Sequence, residues 1–139
     1  MTLNESALVI DTDVASFLFN QDPVRMPRYE PHTEGRTIHL PFAVAGEMLF
    51  GAELRGWGEP RKTELVEYLA EYVFVEASAD IAQNWATIRA HAQGHGQVIP
   101  KQDAWIAAVA VTLNLPLLTH NAAHFTNVPL LRVITEPDK

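Results

Sequence analysis

Four polar positions are spread along the chain inside otherwise apolar runs: Asp11, Glu47, Asp103 and Asn121. Their contexts are ALVIDTDVASFLF, LPFAVAGEMLFGAEL, PKQDAWIAAVAV and LPLLTHNAAHF. A carboxylate beside an apolar strand is costly to bury unless something pairs with it. Three of them converging repel one another, and no neighbouring Lys or Arg run neutralises them. A divalent cation is the simplest partner, which points to metal-dependent chemistry on phosphate. Mg2+ and Mn2+ take oxygen ligands, and Mg2+ keeps several waters beside one or two carboxylates. Each acid alone has a plainer reading. Asp103 near a helix start is favoured by the helix dipole, and Glu47 can pair with a basic side chain on a helix face.

The elements that must position these groups follow from periodicity. Ala7–Ile10 reads as a buried strand ending at Asp11, and Val14–Phe19 as a short helix. Pro23, Pro27 and Pro31 make the next stretch a loop or broken helix. Thr37–Leu40 is a second strand, closed by Pro41. Ala43–Arg55 carries a helical stripe of Val44, Met48, Leu49 and Ala52, ended by Gly56-Trp57-Gly58. Glu64–Tyr72 is again helical, and Tyr72–Val75 a third strand. Ser78 caps a helix running to about His91, and Gly94-His95-Gly96 breaks it. Asp103–Leu113 is an Ala-rich, largely buried helix ended by Asn114. Leu115–Thr119 and Leu130–Ile134 are the last strands. Alternating strands and helices predict an α/β domain with a mainly parallel sheet, and ligands of such sheets bind beyond the carboxyl ends of the strands. On this reading Asp11 and Asn121 lie just past strand ends, with Glu47 and Asp103 in the first turns of helices on that side.

The 139 residues suit one domain spanning 1–139. An apolar fraction of 47 % with 19 % charged residues suits a soluble globular chain. No apolar run is long enough to cross a bilayer, and the opening MTLNESALVID lacks the basic region of a secretory signal. With no cysteine, disulfides and thiolate zinc sites are excluded, and a cytoplasmic setting fits. A formal charge of −7 argues against a broad basic face gripping nucleic acid.

The chain resembles PIN-domain proteins over nearly its whole length, and among them the VapC-type toxins of bacterial toxin–antitoxin pairs. Val9-Ile10-Asp11-Thr12-Asp13-Val14 is similar to the first family motif, with Asp11 as its acid. Ala45-Gly46-Glu47-Met48-Leu49-Phe50-Gly51 resembles the second, and Gln102-Asp103-Ala104-Trp105-Ile106-Ala107-Ala108 the third. Leu118-Thr119-His120-Asn121 with Ala123-His124-Phe125 resembles the fourth. The resemblance implies a three-layer α/β/α fold with a mainly parallel central sheet. It also implies a metal-dependent ribonuclease using Mg2+ or Mn2+, held by Asp11, Glu47, Asp103 and, weakly, Asn121. A VapB-type antitoxin that covers the site, a homodimer and a toxin–antitoxin hetero-oligomer are implied as well, with no membrane partner. Some relatives carry an acid where this chain has Asn121, and an Asp where it has His124.

Other residues support or compete with this picture. Asp13 is a further carboxylate beside Asp11. Thr12 and Thr119 can orient a carboxylate or satisfy strand-end backbone. Lys101, two residues before Asp103, is a possible RNA contact or a screen for the acids. Arg55, Arg61, Lys62 and Arg89 are phosphate contacts or solvated helix surface. Trp57 suits stacking on a base or an interface, whereas Trp85 and Trp105 suit packing. His120 and His124 stand nearest the acids. Apolar surface from Val44 to Leu54 and through Leu65, Leu69 and Tyr72 suits a partner helix or ordinary core. Two competing functions remain at this stage. One is a catalytically weakened PIN-fold binding module. The other is a haloacid-dehalogenase-like phosphatase, because Asp11-Thr12-Asp13-Val14 also resembles that family's nucleophile motif.

Overall fold

The computed structural model describes residues 6–138, so part of the opening segment weighed above as a leader lies outside the described residues. Five strands form one all-parallel sheet: β1 Ala7–Ile10, β2 Thr37–Pro41, β3 Val73–Val75, β4 Leu117–Leu118 and β5 Val133–Ile134. Their order is β3-β2-β1-β4-β5. The central strand β1 pairs Ala7 with Thr37 on one side and Ile10 with Leu118 on the other. It is buried on both faces, which is why it reads as a continuous apolar run.

Six helices flank the sheet: α1 Thr12–Phe19, α2 Met26–Thr33, α3 Phe42–Leu54, α4 Glu59–Leu69, α5 Ala79–Gly94 and α6 Lys101–Leu113. Right-handed crossovers put the helices before β3 on one face and the α5–α6 pair on the other. The contacts agree, with α1 touching α2 and α3, α3 touching α4, and α5 packing along α6. This is the α/β layering expected from sequence, with the sheet wholly rather than mainly parallel. Ile106 through Ala110 of α6 are fully buried beneath it.

Local chemistry explains the helix ends. Ser78 Oγ accepts from Ile81 N–H at 3.2 Å, as a capping serine should. Asn114 ends α6 in the left-handed region at φ 55°, where asparagine is among the few tolerated side chains. Most helices start or end a few residues from the sequence reading, and the larger differences have physical reasons. The proline-rich stretch contains a real helix, α2, because Pro27 sits in its first turn, where no N–H is needed. Helix α4 begins at Glu59 rather than Glu64, since its first turn is polar, exposed and carries Pro60 at its start. Strands β4 and β5 are shorter than their apolar runs.

Beyond β5 the chain is tied to α2 and to the end of β4. The buried Tyr29 hydroxyl lies 2.6 Å from His120 Nδ1 and accepts from Glu136 N–H at 3.0 Å. Glu136 meets His32 at 2.7 Å, while Asp138 meets Arg25 at 3.0 Å and His120 at 3.3 Å. Arg25 holds the Asp138 carboxyl below the usual carboxylate range.

Candidate acidic site at the strand ends

Helices α1 and α2 carry the chain from β1 to β2 on one side, whereas α5 and α6 return it to β4 on the other. A crevice opens where connections diverge in this way, beyond the carboxyl ends of β1 and β4. Here it is a cleft of about 340 Å³, lined by Asp11, Thr12, Asp13, Ser16, Phe17, Glu47, Asp103, Asn121 and His124.

Asp11 directly follows β1 and is 4 % exposed. Its Oδ1 accepts from Thr12 N–H at 2.7 Å, capping α1, and its Oδ2 takes the buried Thr119 hydroxyl at 2.5 Å. The plain helix-cap reading therefore holds for one oxygen of Asp11 and leaves the other to the end of β4. Burial, then the charge of Asp13, pushes the Asp11 carboxyl up to about 7. Hydrogen bonds from Thr119 and Thr12 oppose that rise, and Asp103 adds to it. Asp13 begins its own turn, accepting from Val14 N–H at 2.8 Å. Its Oδ2 is buried with no hydrogen-bond partner, and burial raises its carboxyl too.

Glu47 lies in the second turn of α3 rather than the first, because the helix already starts at Phe42. Among the described residues it meets no basic side chain. Thr12 Oγ1 donates to its Oε1 at 3.1 Å, so Thr12 orients this carboxylate. Asp103 sits in the first turn of α6, and His124 Nδ1 lies 3.0 Å from its Oδ2. Gln102 binds the Ala43 carbonyl at 2.8 Å and Trp105 packs edge-on to Phe42, pinning the start of α6 to the start of α3. Thr119 Oγ1 also accepts from Asn121 N–H at 3.0 Å, fixing the turn after β4. The Asn121 side chain is exposed at the rim. Among the described residues, no three Asp, Glu or His side chains converge tightly enough to cage an ion unaided.

The sequence matches the PIN domain over residues 8–130. The chain belongs to the PIN-domain family. Its relatives include the ribonuclease VapC2 of Rickettsia felis, 23 % identical over 124 residues that span 88 % of this chain and 92 % of that one. A VapC2 ribonuclease of Haemophilus influenzae is likewise 23 % identical over 124 residues, with 89 % and 93 % covered. In fold, the chain is similar to the R. felis VapBC2 structure bound to a promoter DNA fragment, with TM-score 0.81 and 21 % identity over 93 % of this chain and 98 % of that one. It is also similar to DNA-bound VapBC from Salmonella typhimurium, with TM-score 0.79, 21 % identity and 94 % and 97 % covered. Family membership displaces the phosphatase alternative.

Within this PIN fold, the residues singled out from sequence separate into two groups. Asp11, Asp13, Glu47, Asp103, Asn121, His124 and Thr12 share one cleft, and Thr119 lies buried behind it. Lys101 does not line the cleft; it is exposed at the start of α6, and its carbonyl receives the Trp85 indole N–H. The His120 side chain meets Tyr29 and Asp138, while its backbone N–H and its charge act on the Asp13 carboxyl against the rise from burial. Three of the basic candidates have intramolecular partners: Arg61 lies over Trp57 and bonds Asn20, Lys62 pairs with Glu53, and Arg89 lies over Trp85; Arg55 is exposed at the end of α3 and does not line the cleft. Trp57 is half-buried against Phe19, and Trp85 stacks on Trp105. Ser16 and Phe17 of the cleft were not singled out. Ser16 lies one helical turn beyond Thr12, which a helical projection of α1 would have revealed.

Proposed function

We propose that the protein is a Mg2+- or Mn2+-dependent endoribonuclease, the toxin of a type II toxin–antitoxin pair acting in the cytoplasm. One observation carries this reading: Asp11, Asp13, Glu47 and Asp103 share a cleft lined by no Lys or Arg among the described residues. The raised Asp11 carboxyl and the unpartnered Asp13 oxygen are what such a site shows with no Lys or Arg in its lining. Oxygen donors of this kind fit a hard cation that keeps part of its water shell.

Asp11, Glu47 and Asp103 hold the cation on this reading, with Asp13 supporting and Asn121 adding a neutral carbonyl oxygen. Once bound, the ion supplies a Lewis acid for the phosphodiester and acidifies a water. One of the three carboxylates accepts the proton of the attacking water. Thr119 and Thr12 keep Asp11 and Glu47 in place for that work. Lys101 does not line the cleft; exposed at the start of α6, two residues before Asp103, it is on this reading an RNA contact.

The relatives crystallised as VapBC complexes support a small VapB-type antitoxin as the partner and a toxin–antitoxin hetero-oligomer; the homodimer rests on the family resemblance alone. An apolar groove lined by Leu49, Val66, Leu69, Tyr72 and Phe74 suits an amphipathic partner helix. The test is cleavage of a structured RNA by the purified chain. Cutting with Mg2+ or Mn2+ that stops with a chelator supports the reading. Unchanged cutting in chelator contradicts it, and no cutting under any condition favours the binding-module alternative.

A further inference from the structure

His124 differs in kind from everything else in the cleft. The other polar side chains there, those of Asp11, Asp13, Glu47, Asp103, Asn121, Thr12 and Ser16, offer oxygen donors to a cation. His124 alone offers an imidazole nitrogen. Its side chain is 51 % exposed, so it is free to exchange partners, and its Nδ1 lies 3.0 Å from Asp103 Oδ2. The two groups come from different elements: Asp103 from the first turn of α6, His124 from the 3₁₀ turn Ala122–Phe125 that packs against it. Tertiary structure, rather than local sequence, sets their spacing.

That spacing has a geometric meaning. Two adjacent ligands on an octahedral ion with bonds of about 2.1 Å lie about 3.0 Å apart, since the edge is the bond length times the square root of two. A cation that replaces the proton shared by Nδ1 and Oδ2 therefore finds both donors already at bonding separation. Mg2+ favours oxygen and gains little from an imidazole, whereas first-row transition-metal ions gain more.

We propose that His124 is a nitrogen ligand of the cation in the acidic cleft and, paired with Asp103, biases the site toward a transition-metal ion over Mg2+. This rests on the metal-dependent reading above and adds the identity of the ion to it. Asp103 supplies the charge, and His124 supplies the discrimination.

The experiment uses the full chain and Mn2+ as the probe. Pulsed electron paramagnetic resonance of the Mn2+-loaded protein reads nitrogen coupling directly, and calorimetry gives the Mn2+ and Mg2+ affinities. Wild type should show the coupling and bind Mn2+ more tightly than Mg2+. His124→Asn replaces the ring nitrogen with an amide and puts oxygen within reach. It should lose the coupling, and its Mn2+-over-Mg2+ preference should fall by roughly tenfold. If Mn2+ binds but wild type shows no nitrogen coupling, or His124→Asn keeps both coupling and preference, His124 is not a ligand. If wild type binds no Mn2+ at all, the metal-dependent reading falls together with this inference. The partly exposed position makes His124→Asn a fold-neutral change, checked by an unchanged thermal midpoint without metal.

Discussion

Two charged clusters lie one residue apart on the chain and behave in opposite ways. Around His120, the acids Glu136 and Asp138 meet His32, His120 and Arg25. Around Asn121, the acids Asp11, Asp13, Glu47 and Asp103 meet hydroxyls, backbone N–H groups and one imidazole. The first cluster balances itself, and Asp138 is held in its charged form by Arg25. The second does not: Asp11 is pushed up to about 7 and Asp13 keeps an unpartnered buried oxygen. A self-satisfied network fixes the fold, while an unsatisfied one is poised for something from outside.

The contrast can be broken most severely by neutralising one acid in each cluster. Asp103→Asn should cut RNA cleavage by roughly a thousandfold or more with the thermal midpoint held. Asp138→Asn should leave cleavage within roughly twofold, its exposed pairs contributing little. Side-by-side single-turnover rates decide it, and equal losses would erase the distinction.

Stability against pH sharpens the same point. The Asp11 carboxyl ionises near 3.8 when unfolded and at about 7 when folded. Between those values the folded chain holds the extra proton, so without metal its stability falls as pH rises through that window and levels off above it. Asp11→Asn removes the penalty. The variant should gain over wild type from pH 4 to pH 7, reaching a few kcal/mol at about 1.4 kcal/mol per pH unit. Denaturant titrations at pH 4, 5.5 and 8 should show that growing gap. A gap that shrinks with pH would mean that Asp11 is charged and well paired.

Smaller effects follow from the hydroxyls. Thr119→Val removes the donor to Asp11 Oδ2 and should weaken Mn2+ binding by roughly 10- to 100-fold, read by calorimetry. Tyr29→Phe belongs to the other cluster. It strips a partner from His120 and from the Glu136 N–H, which should cost about 1–3 kcal/mol of stability with Mn2+ affinity unchanged.

The balanced cluster was invisible in the sequence, and the unbalanced one largely was not. Asp11 and Asp103 stand out because a carboxylate set against a buried apolar run is costly unless something pairs with it, although each also suits a helix start. Ser78 and Asn114 were legible because caps are local chemistry. Tyr29, His120 and Glu136 meet across 91 and 107 residues, and no short-range period announces such a contact. The same holds for Asp103 and His124, joined by a 3₁₀ turn that no apolar pattern marks. Helix α2 was obscured by Pro27 and Pro31, whose usual meaning as breakers is cancelled at a helix start and weakened in a helix of two turns.

On the proposed reading, the acidic cleft takes a divalent cation. The most direct test of that reading is the shift in thermal midpoint with added Mn2+ at pH 7.5 for wild type, Asp11→Asn and Asp138→Asn. A ligand that binds only the folded state raises its stability in step with occupancy. Wild type and Asp138→Asn should rise together by several degrees, at roughly a hundredfold excess of Mn2+ over its dissociation constant. Asp11→Asn should rise little or not at all. An equal rise in all three, or none in wild type, would contradict the account.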